Sequence, residues 1–228
     1  MTQAESNPVL EKIRSIHVLG EAAYQAGTVK LFTGFPDSLR NRFNVCVVID
    51  GFHGSELSEK ICRAAESLGL EFILAGRNFP LHSTMLEGLW EGDLENRDVV
   101  FGRVLQEITP RLEEFPPPMP HYHRLVLDGS GNLLLLSTYV PGEVLRLREY
   151  LTEVYERQGL KPLPLDNLFH CTVMRFRDVS ANTLGVLRRF HQFVDDMNTG
   201  RACEFATHKR QFYRGPALGV FQGAVPVV

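Results

Sequence analysis

Cysteine is scarce in this chain, and the four present, Cys46, Cys62, Cys171 and Cys203, are widely spaced with no C-x-x-C pair. That excludes a zinc knuckle and a disulfide scaffold, and it favours a reducing compartment. Basic charge is not in surplus either: 24 Lys and Arg stand against 27 Asp and Glu, a formal net charge of −3. A protein that wraps long duplex nucleic acid through many phosphate contacts needs a basic face, so that class is set aside. No apolar run is long enough to cross a bilayer, and Met1-Thr2-Gln3-Ala4-Glu5 lacks the basic and apolar regions of a secretory leader. These absences predict a soluble, cytoplasmic chain with no membrane partner, expected to act as a monomer. With 44% apolar and 22% charged residues over 228 positions, it has enough material for one sizeable core or two small lobes.

What is present is a pattern that occurs twice. Leu81-His82-Ser83-Thr84-Met85 and Phe169-His170-Cys171-Thr172-Val173 set the same His-x-Thr string into apolar surroundings. In an extended strand residues i and i+2 share a face, so each string presents an imidazole and a hydroxyl side by side. Among 8 histidines, roughly one His-x-Ser/Thr match is expected by composition alone. His53-Gly54-Ser55 is such a match, and there Ser55 reads as the N-cap of a helix. The other two differ in having Thr, apolar flanks and equivalent placement.

That placement comes from the order of elements. Pro8 to about Gly27 reads as a helix with a stripe of Leu10, Ile13, Ile16 and Leu19, followed by a loop with aromatic anchors; residues 1–40 form an N-terminal helical extension. Residues 41–228 form the main body. Phe43 to Ile49 is strand-like, Ser55 to Leu68 helical, Phe79 to Leu89 strand-like around His82, and Asn96 to Glu114 helical up to Pro116-Pro117-Pro118. Tyr122 to Leu127 and Leu133 to Tyr139 flank Asp128-Gly129-Ser130-Gly131-Asn132, a hairpin signal. Then Val144 to Tyr155 is amphipathic, Leu168 to Phe176 strand-like around His170, and Ser180 to Met197 helical. Two β-prone pieces, Cys203 to Tyr213 and Val220 to Val228, close the chain. An order repeated twice predicts an α+β, bilobal fold with each motif strand central in its lobe and a cleft between.

These residues resemble the 2H phosphoesterase superfamily, which includes 2′,5′-RNA ligase-like proteins and RNA 2′,3′-cyclic phosphodiesterases. The resemblance covers Phe43 to the C-terminus. His82 and Thr84 match the first signature, His170 and Thr172 the second, and His170-Cys171-Thr172-Val173-Met174-Arg175 resembles the H-x-T-[LV]-x-R form of the ligase-like branch. It implies two pseudo-symmetric ferredoxin-like lobes with antiparallel sheets flanking a central cleft, a metal-independent site and no cofactor. One departure is Met85-Leu86-Glu87-Gly88, which places an acid in a run where that branch usually carries an apolar residue, an aromatic and Leu-Gly.

The chemistry fits the residue types. Opening a cyclic phosphodiester needs a base for water and an acid for the leaving oxygen, and imidazole does either near neutral pH. Two threonine hydroxyls supply donors for the charge that builds on phosphorus. The catalytic set is therefore His82, Thr84, His170 and Thr172, with Arg175 as a substrate contact that needs a bulge to bring it onto their face. The substrate expected is short RNA or a cyclic nucleotide; a 2′,5′-RNA ligase and a non-catalytic nucleotide-binding or RNA-binding module are the alternatives. His121-Tyr122-His123 lacks a third ligand for a metal. His208 to Arg214 mixes basic and aromatic residues, suited to gripping a phosphate or, more plainly, to a solvated strand face. Arg146, Arg148, Glu149, Glu153 and Glu156 read as the solvent face of a helix.

Overall fold

Asp128 turns the chain at its midpoint: its carboxylate accepts hydrogen bonds from the backbone N–H groups of Ser130 and Asn132 at 2.8 and 2.9 Å, and Gly131 takes a positive φ of 71° at no steric cost. The turn joins two sets of elements that repeat one order. In the computed structural model, residues 8–29, 31–34, 37–114, 117–118, 121–164, 168–178, 183–200, 205 and 210–216 are described. After α1 (Pro8–Ala26) and a short 3-10 turn come β1 (Arg42–Ile49), α2 (Glu56–Ser67), β2 (Glu71–Leu74), β3 (His82–Leu89), α3 (Leu94–Glu113) and β4 (Arg124–Leu127). The second set is β5 (Asn132–Ser137), α4 (Gly142–Arg157), β6 (Lys161–Leu163), β7 (Phe169–Asp178), α5 (Thr183–Thr199) and β8 (Arg210–Pro216). No helix among the described residues is long and apolar enough to cross a membrane.

The fold is α+β, with two antiparallel four-stranded sheets ordered β6-β3-β1-β8 and β2-β7-β5-β4. Each motif strand, β3 and β7, is internal to its sheet, as expected. The make-up of the sheets differs from the expectation, because each set lends its two remaining strands to the other: β2 and β4 join β7 and β5, while β6 and β8 join β3 and β1. The exchange knits the halves together, and one continuous apolar core runs from Val45 and Val47 to Leu133, Leu135 and Val173. The strands β2 and β6, of four and three residues, are too short to show a period in the sequence. Val220 to Val228 lies outside the described residues.

Local chemistry explains several boundaries. Ser55 caps α2, its hydroxyl accepting from Ser58 N at 3.2 Å, an interaction worth ~1 kcal/mol. Gly88 lets β3 lie against α4, since a Cβ there would stand 2.7 Å from the ring of Tyr155. α1 is rotated from the sequence reading: Ile13, Gly20 and Tyr24 are buried, whereas Leu19 is 65% exposed. Gly20 is the reason, because a Cβ there would stand 2.1 Å from the carbonyl oxygen of Leu127. The helix therefore sits down on β4 at its glycine and not on its leucine. Ile13, with Val9 and Ile16, packs on Val126, Leu134, Leu136 and Leu168.

Two buried polar groups tie β3 to β7, although the strands belong to different sheets. Ser83, fully buried, donates its hydroxyl to the backbone oxygen of His170 at 2.5 Å and also meets the Tyr122 hydroxyl. Arg148, read from sequence as solvent-facing, is 8% exposed. Its Nε donates to Met85 O at 3.0 Å and its Nη2 to Leu168 O at 2.9 Å. The correction has a simple cause: Arg148 lies on the same helical stripe as Val144, Leu151 and Tyr155, all buried. Removing it strands two buried carbonyls and leaves a void, so Arg148→Ala is expected to lower unfolding stability by ~2–4 kcal/mol in urea titration. A change within about 0.5 kcal/mol would contradict the clamp.

Candidate active site

The side chains of the two motifs lie on the faces of the sheets turned away from the main core, and the same irregularity shapes both. In β3, Thr84 pairs with Cys46 and Leu86 with Val45, leaving Met85 as an extra residue. In β7, Thr172 pairs with Leu134 and Met174 with Leu133, leaving Val173 extra. A bulge one residue past each threonine shifts the alternation by one. His82, Thr84 and Glu87 are partly exposed while Ser83, Met85, Leu86 and Gly88 are buried; His170, Thr172 and Arg175 are partly exposed while Cys171, Val173, Met174 and Phe176 are buried. The bulge that strict alternation demanded for Arg175 is there, and it places Arg175 on the face of His170 and Thr172. The position equivalent to Arg175 in the first motif is Glu87, whose carboxylate receives Arg42 Nη1 at 3.1 Å.

On the first sheet, His82 Nδ1 lies 2.8 Å from the carbonyl oxygen of Pro80. A carbonyl only accepts, so Nδ1 carries the proton and Nε2 holds the lone pair of the neutral ring. Burial lowers the His82 pKa, opposed by the Pro80 hydrogen bond and reinforced by the positive charge of Arg175. The guanidinium of the second motif is thus among the charges that bear on the imidazole of the first. Beside His82, the Cys46 thiol donates to the Thr84 hydroxyl oxygen at 3.7 Å. Burial pushes the Cys46 thiol up to about 12, so it stays protonated, and Thr84 keeps its own O–H for an external acceptor. Tyr213 stands opposite Cys46 on β8, anchored by its hydroxyl donating to Pro216 O at 2.6 Å.

On the second sheet, His170 faces Leu136 and Thr172 faces Leu134 across β5, and these two leucines are covered by α1. The N-terminal extension therefore walls the site on that side, a role with no signal in the sequence. Its continuation places the Phe32 ring 5.6 Å from the Arg175 guanidinium, with Phe79 5.8 Å away. Phe32 N also donates to Phe176 O at 2.8 Å. Arg175 Nη1 donates to Asn132 Oδ1 at 2.9 Å. Two aromatic faces and an amide orient a cation whose burial lowers its pKa from the ordinary arginine value.

Other sequence candidates take structural positions. His123 engages both ring nitrogens, with His121 O at 3.1 Å and Thr138 Oγ1 at 2.6 Å, and His121 is exposed. In the basic and aromatic stretch, Arg210 donates to Pro117 O at 2.7 Å and Arg214 pairs with Glu113 at 3.8 Å. His208 and Lys209 lie outside the described residues.

No protein-family model matches the chain. No curated protein matches it. Among solved structures, it is similar to the PDE domain of MHV ns2 at 14% identity, with 78% of this chain and 99% of that domain covered and a TM-score of 0.44. It is also similar to Usb1 of Kluyveromyces marxianus solved with uridine monophosphate, at 13% identity, coverage of 78% and 99%, and a TM-score of 0.40.

Proposed function

We propose that this chain is a phosphodiesterase that opens a 2′,3′-cyclic phosphate, at an RNA end or on a small cyclic nucleotide, by proton transfer through two histidines. The observation that carries the proposal is the pair of identically bulged strands, each presenting His, Thr and a charged residue on one face, joined through Ser83 to the His170 backbone. His82 is the base. Its Nδ1–H is fixed on Pro80 O and its lowered pKa keeps it neutral, so Nε2 takes the proton of the attacking water as that oxygen bonds to phosphorus. The bond from phosphorus to one ribose oxygen breaks, and protonated His170 delivers its proton to that oxygen. One water is consumed and a phosphomonoester forms. Thr84 and Thr172 donate to the non-bridging oxygens, and Arg175 balances their charge.

A test is to incubate the chain with 2′,3′-cyclic nucleotides and with oligonucleotides ending in a 2′,3′-cyclic phosphate, and to identify the phosphomonoester. His82→Ala or His170→Ala is expected to lower turnover by ~10²- to 10⁴-fold, and Thr84→Val or Thr172→Val by about 10²-fold. Near wild-type turnover in either histidine variant, or no product from any substrate, would overturn the reading.

The pH profile follows from His82. A base must be neutral, so kcat/KM falls as pH drops through its pKa, which lies below the ordinary histidine value. Arg175 is one cause of that lowering, so Arg175→Gln is expected to move the acidic limb to higher pH, besides weakening binding. An acidic limb that stays in place in that variant contradicts the assignment of His82 as the base.

A further inference from the structure

On the far side of the second sheet's edge strand, α1 and α5 bring together two histidines and a carboxylate that the phosphodiester chemistry does not use. His17 comes from α1, and His191 and Asp195 are one helical turn apart on α5, where a spacing of four puts both on one face. His17 Nε2 lies 3.6 Å from Asp195 Oδ1, and His191 Nδ1 lies 3.4 Å from Asp195 Oδ2. The imidazole centroids are 4.4 Å apart at 50°, and one ligand atom from each of the three residues falls within 4.8 Å of the others. The geometry points to a divalent transition-metal site of the zinc class formed by His17, His191 and Asp195.

The separations discriminate between a metal and simple pairing. A charge-assisted hydrogen bond between these groups would be about 2.7–2.9 Å long, shorter than either contact. Tetrahedral zinc with bonds near 2.1 Å sets its ligand atoms about 3.4 Å apart, and each histidine stands at about that distance from one oxygen of the Asp195 carboxylate, His17 from Oδ1 and His191 from Oδ2. His191 is 7% exposed, and Nδ1 is the ring nitrogen it turns toward Asp195. Glu21, one turn along α1 from His17, lines a cavity of about 170 Å³ with His191 and Asp195. Its charge, with that of Asp195, offsets Arg188 on the same wall. Imidazole with carboxylate suits zinc, and also cobalt as its spectroscopic substitute.

Such an ion touches no reacting atom. Arg124 of β4, which contributes to the electrostatics of His17, is two strands from β7 in the sheet order, about 10 Å at ordinary strand spacing. Its effect is to fasten α1, and with it the wall over Leu134 and Leu136, to the body of the protein. The inference stands whether or not the phosphodiesterase reading does.

The test uses the full chain, stripped with chelator and dialysed, then titrated with cobalt and zinc. One equivalent per chain is expected, with the visible absorption of tetrahedral cobalt, displaced by zinc, and zinc should raise Tm. His17→Ala and Asp195→Asn, both at partly exposed positions, should each weaken zinc at least about tenfold and abolish the Tm shift. His121→Ala should leave both unchanged. Absence of binding by the wild-type chain, binding undiminished in both site variants, or equal loss in His121→Ala would overturn the site.

Discussion

The architecture depends on holding two strands of different sheets side by side from behind. β3 and β7 share no backbone ladder, so their register is set by side chains: the Ser83 hydroxyl on the carbonyl of His170, and the Arg148 guanidinium spanning Met85 O and Leu168 O. Arg148 is a buried cation whose partners here are carbonyl dipoles, an expensive arrangement. What it gives in return is geometric: the planar fork fixes two carbonyls at once, as a lysine could not. Both groups act on residues within or adjoining the motifs. The position of the imidazoles is therefore determined by the core and not by the open face on which they lie.

The twin bulges add the second constraint. An unbroken alternation would bury Glu87 and Arg175; one extra residue after each threonine turns both toward the open face. The pseudo-symmetry of the backbone is thus retained while the charges are opposite. Glu87 is neutralised by Arg42, whereas Arg175 is set between Phe32, Phe79 and Asn132 and makes itself felt at His82. The frame is symmetric and its charge pattern is not: the second motif carries the cation that helps to lower the His82 pKa, and the equivalent position of the first motif is an acid.

Much of this was legible in the chain. The motif strands, the hairpin at Asp128, the Ser55 cap and the helices announce themselves by period, turn chemistry and capping. The exchange of β2 and β6 between sheets does not, since strands of three and four residues carry no period and partner choice is a tertiary decision. Arg148 was legible in principle. It falls on the stripe of Val144, Leu151 and Tyr155, but a sequence reading that groups charges with charges assigns it to solvent. His17 similarly shares the spacing of Ile13, Gly20 and Tyr24, and only the approach of α5 gives it a partner. The rotation of α1 turned on Gly20, where the absence of a side chain, invisible to any hydrophobicity pattern, decided which face docks.

The central claim is that both histidines address one phosphate. The most direct measurement is NMR of the labelled histidine rings during titration with a nucleoside monophosphate. Signals from His82 and His170 shifting together, along one binding curve with a common Kd, are the result this account predicts. A response confined to one of the two, or two curves with different Kd values, would contradict it.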